Sequence, residues 1–166
     1  MAVVGSASLD ELRFIADCML GRLAKWLRVL GYDVAYERAI SDDLLVARAR
    51  AEGRILLTRD RRLVQRRALR GGPGHLLIKS DQPDEQLVEM AKQYGIEVRP
   101  DRFLTRCLRC NEPTDRVPRE AVKGSVPSYV FLTQEMFSGC PACGRVYWRA
   151  THVESILRQI GRRLGS

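Results

Sequence analysis

Residues 41–63, SDDLLVARARAEGRILLTRDRRL, decide how this chain folds. Ser41 has a short hydroxyl side chain that accepts from a backbone N–H at a helix start, and Asp42 and Asp43 suit the positive end of the helix that follows. The helix runs to about residue 52, where Gly53 supplies the stop signal. Residues 54–58, RILLT, are too short and too apolar for another surface helix and read as a buried strand, closed by Arg59 and Asp60. A capped helix feeding such a strand across a tight turn is half of a βαβ unit.

Working outward, residues 13–17 (RFIAD) read as a first buried strand that ends abruptly at Asp17. In residues 19–31, MLGRLAKWLRVLG, Leu20, Leu23, Ala24, Leu27 and Leu30 recur at helical spacing, with Arg22, Lys25 and Arg28 largely outside that stripe. Gly31 suits the left-handed position that ends such a helix. Residues 32–36 form a second strand candidate. On the other side, residues 61–70 read as a basic helical stretch, residues 71–74 (GGPG) as a turn, 75–79 as a fourth strand and 83–94 as a helix. Strands alternating with helices predict a parallel sheet in a three-layer α/β/α sandwich. The organisation expected is a flexible lead-in over 1–12, the α/β domain over 13–100, a cysteine module over 101–150 and a basic amphipathic helix over 151–166. In that last helix Val153, Ile156, Leu157 and Ile160 share a face.

The 166 residues suffice for one ordinary domain and a small module, and 45% hydrophobic content supplies a core. No apolar run approaches the roughly 18 to 20 residues of a membrane helix, and no basic-then-apolar leader is seen, so a cytoplasmic protein without membrane association is expected. Lys and Arg number 28 against 20 Asp and Glu, a net charge of +8, which favours polyanionic partners. GGPGH lacks the Gly-Lys-Ser/Thr of a phosphate loop, so ATP chemistry finds no support.

Four of the five cysteines form two Cys-x-x-Cys pairs, Cys107/Cys110 and Cys140/Cys143. Two knuckles of this kind present four thiolates to one tetrahedral Zn²⁺, a complete set that leaves no open position and marks the ion as structural. Two disulfides or a dithiol redox site are the alternatives. The long spacer between the pairs accommodates an inserted hairpin, and residues 129–133, YVFLT, read as one of its strands. Cys18 is left over and is expected to serve packing. His75 and His152 read as structural or surface groups.

Asp17, Asp42 and Asp60 stand after the first strand, at a helix start and after the third strand, where an open parallel sheet places its ligand site. Gathered carboxylates repel one another unless a cation compensates, and hard ions such as Mg²⁺ or Mn²⁺ favour oxygen ligands. Such an ion can polarise a phosphate and acidify a water, so phosphodiester cleavage can proceed without histidine. Taken singly, each acid also serves as a helix or turn cap.

The segments DCMLGRLAKWLRVLGYDV (17–34) and SDDLLVARARAEGRILLTRDRRL (41–63), followed by twin Cys-x-x-Cys pairs, resemble the Mut-seven carboxy-terminal RNase family, a PIN-like nuclease domain with an appended zinc ribbon. The resemblance covers roughly residues 13–150. It implies a metal-dependent ribonuclease in which Asp17, Asp42 and Asp60 hold Mg²⁺ or Mn²⁺, with Asp43 and Asp81 as candidates for a fourth acid. Arg22, Lys25, Arg59 and Arg61 are then candidates to hold RNA phosphates, and Tyr147 or Trp148 to stack on a base or pack the ribbon. The alternative is a non-catalytic RNA-binding or ribosome-associated zinc-ribbon protein. A phosphatase using Asp17 as nucleophile lacks the usual Asp-x-Asp, since Cys18 and Met19 follow.

Overall fold

A computed structural model describes residues 11–164, so residues 1–10 of the expected lead-in lie outside it. The described residues divide into two compact units: residues 11–27 with Tyr32–Ile96, and Arg28–Gly31 with residues 97–164.

In the first unit β1 (Arg13–Ala16), β2 (Asp33–Tyr36), β3 (Ile55–Thr58) and β4 (His75–Leu77) form one sheet in the order β2-β1-β3-β4. All three pairings are parallel. The helices are α1 (Gly21–Val29), α2 (Asp42–Ala51) and α3 (Pro83–Tyr94). The chain steps one way from β1 to β2 and then returns past β1 to β3. Right-handed crossovers therefore put α1 and α2 on opposite faces, giving the expected three layers. Phe14, Ile15, Leu23, Leu27, Leu56 and Leu57 are at most 1% exposed. The central strands are covered on both faces, which is why they read as unbroken apolar runs.

Local chemistry sets the helix ends. Ser41 Oγ accepts from Leu44 N at 3.4 Å, and α3 begins on Pro83 and stops at Gly95 with φ +67°. Residues 61–70 depart from the helix expected there and make two single 3₁₀ turns, Leu63–Gln65 and Arg67–Leu69. Leu63 and Leu69 are both buried. Six residues of α-helix would leave them about 120° apart around the axis, and the irregular path docks both. At the amino ends of the strands the buried Arg54 donates to Phe14 O at 3.1 Å, Asp33 Oδ1 at 2.6 Å and Glu52 Oε2 at 2.6 Å. That edge of the sheet is closed by paired charges.

The second unit contains an antiparallel sheet, β5 (Asp115–Val117), β6 (Phe137–Gly139) and β7 (Val146–Trp148), together with α4 (Ser128–Thr133) and α5 (Thr151–Leu164). Its small core is Val122, Val130 and Phe137, with Phe131 and Trp148 packed against it. The YVFLT stretch expected as a strand is α4 instead. A helix turns Val130 and Phe131 toward the core while leaving Tyr129 and Leu132 69% and 72% exposed; a strand would have put Tyr129 and Phe131 on one face. In α5 Leu157 and Ile160 are buried and Arg162 and Arg163 exposed, whereas the side chains of His152 and Ile156 lie outside the described residues. Gly31 has φ +86°, and a Cβ there would lie 2.5 Å from Arg102 O. Arg28, expected outside the apolar stripe, is buried and donates Nη1 to Leu108 O at 2.9 Å and Arg109 O at 3.1 Å. Among the described residues no helix is long and apolar enough to cross a membrane.

Candidate functional site

The strand order turns between β1 and β3, and the crevice beyond the carboxyl ends of strands at such a point is where open α/β sheets bind ligands. Asp17 leaves β1 there. It is 6% exposed, and both carboxylate oxygens are engaged: Oδ1 accepts from Met19 N at 2.9 Å, and Oδ2 accepts from Arg59 N at 3.0 Å and from the hydroxyl of Thr58. Thr58 ends β3 with no exposure, and its Oγ1 accepts from Asp60 N at 2.9 Å. Asp17 and Asp60 are thus tied through one buried hydroxyl on adjacent strands. Asp60 Oδ1 accepts from Arg62 N at 2.7 Å and Leu63 N at 3.4 Å, capping the turn that follows, and its Oδ2 accepts from no group among the described residues.

Asp42 and Asp43 open α2 and form a second acidic pair, held by Arg66: Nη2 lies 3.1 Å from Asp42 Oδ2, and Nη1 pairs with Asp43 Oδ1. Arg66 was not singled out by sequence, because a lone arginine in an irregular stretch carries no spacing signal. Asp81 is exposed, and its Oδ1 accepts from Gln82 Nε2 at 3.4 Å. Arg22 and Lys25 are exposed on α1, and Arg61 is exposed after Asp60, with Arg59 half-buried. Cys18, expected to pack, is exposed, and its carbonyl accepts from Tyr36 Oη at 3.2 Å. His75 lies exposed on β4.

In the second unit the Sγ atoms of Cys107, Cys110, Cys140 and Cys143 lie within 4.8 Å of one another. The Cys107–Cys143 separation is 3.7 Å. Four ligands about 2.3 Å from a tetrahedral centre stand about 3.8 Å apart, whereas a disulfide needs about 2.0 Å, so the set fits a metal ion such as zinc. The two knuckles have the same build. Cys107 N donates to Glu112 O at 2.8 Å and Asn111 N to Cys107 O at 2.9 Å; Cys140 N donates to Arg145 O at 2.9 Å and Gly144 N to Cys140 O at 2.9 Å. Asn111 and Gly144 fill the matching positions with φ +67° and +69°.

The thiols also behave electrostatically as a set. Burial works against ionising Cys107, but the Tyr147 hydroxyl at 3.1 Å and the N–H groups of Cys110 and Arg109 bring it down to about 6. Cys110 is pushed up to about 12, first by its hydrogen bond with Cys143 and then by desolvation, and burial raises Cys140. A thiolate-prone Cys107 thus sits beside Cys110 and Cys140, whose ionisation is disfavoured, and a divalent cation would reverse that. Tyr147 Oη also accepts from Leu108 N at 3.1 Å, and Trp148 packs on the ribbon core, so both aromatics serve the module's own structure.

A protein-family model described as the Mut7-C RNAse domain matches residues 12–160. No curated protein and no solved structure matches the chain.

Proposed function

Because this chain belongs to the Mut7-C RNAse domain family, we propose that it hydrolyses RNA phosphodiester bonds with Mg²⁺ or Mn²⁺ held by Asp17, Asp42 and Asp60. The observation that carries this reading is the Asp17–Thr58–Asp60 link at the carboxyl ends of β1 and β3. Bound there, the ion would supply Lewis acidity toward a phosphate and lower the pKa of a water. Asp17 is a fixed oxygen donor, immobilised by burial and three hydrogen bonds. Asp60 is half-committed, with Oδ2 open toward a ligand. Asp42 would join from the start of α2, with Asp43 or Asp81 as the fourth acid. Arg66 is the present counter-charge of Asp42 and Asp43; an ion pair this exposed is worth less than about 1 kcal/mol and yields readily to a divalent ion. Arg22, Lys25, Arg59 and Arg61 would hold strand phosphates.

The four thiols would hold a structural Zn²⁺, and residues 101–150 with the basic helix 151–166 would bind the RNA strand that the nuclease domain, residues 13–100, cleaves. One observation favours a second reading. Asp42 and Asp43 are already paired with Arg66, and Asp17 and Asp60 cap turns, as they would in a non-catalytic RNA-binding protein.

The deciding experiment incubates labelled single-stranded and structured RNA, and matching DNA, with protein in Mn²⁺, Mg²⁺ or EDTA. The expected outcome is RNA cleavage that requires metal and falls at least about 100-fold in Asp60→Asn. Salt-sensitive RNA binding without cleavage in any metal would establish the second reading.

A further inference from the structure

Beyond the carboxyl ends of β3 and β4 lies a cavity of about 350 Å³ lined by Arg59, Arg61, Leu77, Ile78 and Lys79. Its position follows from strand register: Thr58 pairs with Leu77, and Ile78 N donates to Thr58 O at 2.8 Å, which sets Lys79 beside the start of the Arg59–Arg61 segment. Glu89 of α3 fixes the Lys79 backbone by accepting its N–H at 2.9 Å. The side chains of Arg59, Arg61 and Lys79 make no hydrogen bond or ion pair among the described residues, while Arg48, Arg54 and Arg66 of the same unit are all paired with carboxylates. Three cations around one concavity repel one another, and the nearby carboxylates of Asp17 and Glu89 are turned to backbone N–H groups, not to these side chains. The floor, Ile78, is 2% exposed and apolar, which strengthens any charge interaction above it. Arg59 N also donates to Asp17, so the cavity adjoins the acidic crevice.

We propose that this cavity is a subsite for a terminal phosphate monoester of the RNA strand, so that cleavage is registered from a phosphorylated end. The proposal rests on reading Asp17 and Asp60 as the cleavage site. An internal diester carries one negative charge and must let the strand leave on both sides. A terminal monoester carries close to two at neutral pH, offers three acceptor oxygens and needs only one exit, which suits three cations around a pocket. Lys79 is the residue this assigns anew, as a specificity determinant rather than a member of the metal site.

The test uses one short single-stranded RNA with a 5′-phosphate, a 3′-phosphate or hydroxyls at both ends. The full-length protein is followed by single-turnover cleavage in Mn²⁺ and by fluorescence anisotropy in EDTA. One phosphorylated end should bind and react about tenfold better than the hydroxyl-ended strand, and the two phosphate arms identify which end. In Lys79→Gln, and more fully in Arg61→Gln/Lys79→Gln, that ratio should fall toward one; both side chains are exposed, so circular dichroism should be unchanged. Equal handling of all three strands by the wild type overturns the subsite, as does an end preference that survives both variants. End-dependent binding in EDTA without cleavage in any metal would support the subsite while overturning the ribonuclease reading.

Discussion

At the scale of single residues, Asp17 and Asp60 carry the same chemistry in different settings, and substitution should separate them. Asp17 accepts on both oxygens, so an asparagine there turns its NH₂ group toward a donor in either orientation. Asp17→Asn should cost about 1–3 kcal/mol of stability in the first unit. Asp60→Asn can keep its carbonyl oxygen on Arg62 N and Leu63 N and place the amide on the open side, so it should lie within about 0.5 kcal/mol of wild type. Urea unfolding followed on Trp26 checks the difference, in a Trp148→Phe background that silences the other tryptophan. Equal stability of the two variants would mean that Asp17 is not held as described. The acids themselves were legible in the sequence because each falls at the end of a patterned element. Their partners were not. Arg66 reaches Asp42 across 24 residues, and elsewhere Arg28 reaches Leu108 across 80, separations that no local pattern encodes.

At the scale of elements, legibility followed the strength of punctuation. The helix expected over 83–94 is α3 to the residue, since Pro83 opens it and Gly95 closes it. The helix read from Ser41 is capped as its sequence implies. Residues 129–133 misled because β-branched and aromatic types favour strands only when a pleated partner is present; here the small core takes Val130 and Phe131 from a single helical turn after Pro127. Glycine at the end of a helix can be tested against glycine at the end of another. Gly31 and Gly53 both have positive φ, but a Cβ at Gly31 meets Arg102 O at 2.5 Å and Thr105 Oγ1 at 2.7 Å, whereas at Gly53 nothing lies within 4 Å. Gly53→Ala should cost about 1 kcal/mol and Gly31→Ala at least about twice that, measured as shifts of the denaturation midpoint. Similar costs would mean that the Gly31 contact relaxes freely.

At the scale of the whole chain, the two units are held by different physics. The first has a sheet with both faces covered; the second has a small core around Val122, Val130 and Phe137 and four gathered thiols. A structural tetrathiolate ion contributes on the order of 10 kcal/mol in small metal-dependent folds, more than such a core supplies. Treating the metal-loaded protein with a strong chelator should therefore remove amide-exchange protection from residues 107–148 while residues 13–27 and 32–94 keep theirs, as hydrogen exchange with mass spectrometry can read. Loss in both regions together would show that the units do not fold separately. The twin knuckles have one more implication. Each turn is closed by its own backbone hydrogen bonds within six residues, so the connection between Val122 and Val130, which joins two core residues, can change length without touching either knuckle. Loop-closure entropy grows only logarithmically with length, so each doubling of that connection costs about 0.6 kcal/mol. Gly124 and Ser125, both exposed, make this module a docking port for a genetically encoded tag or reporter, spliced in with the four gathered thiols left intact.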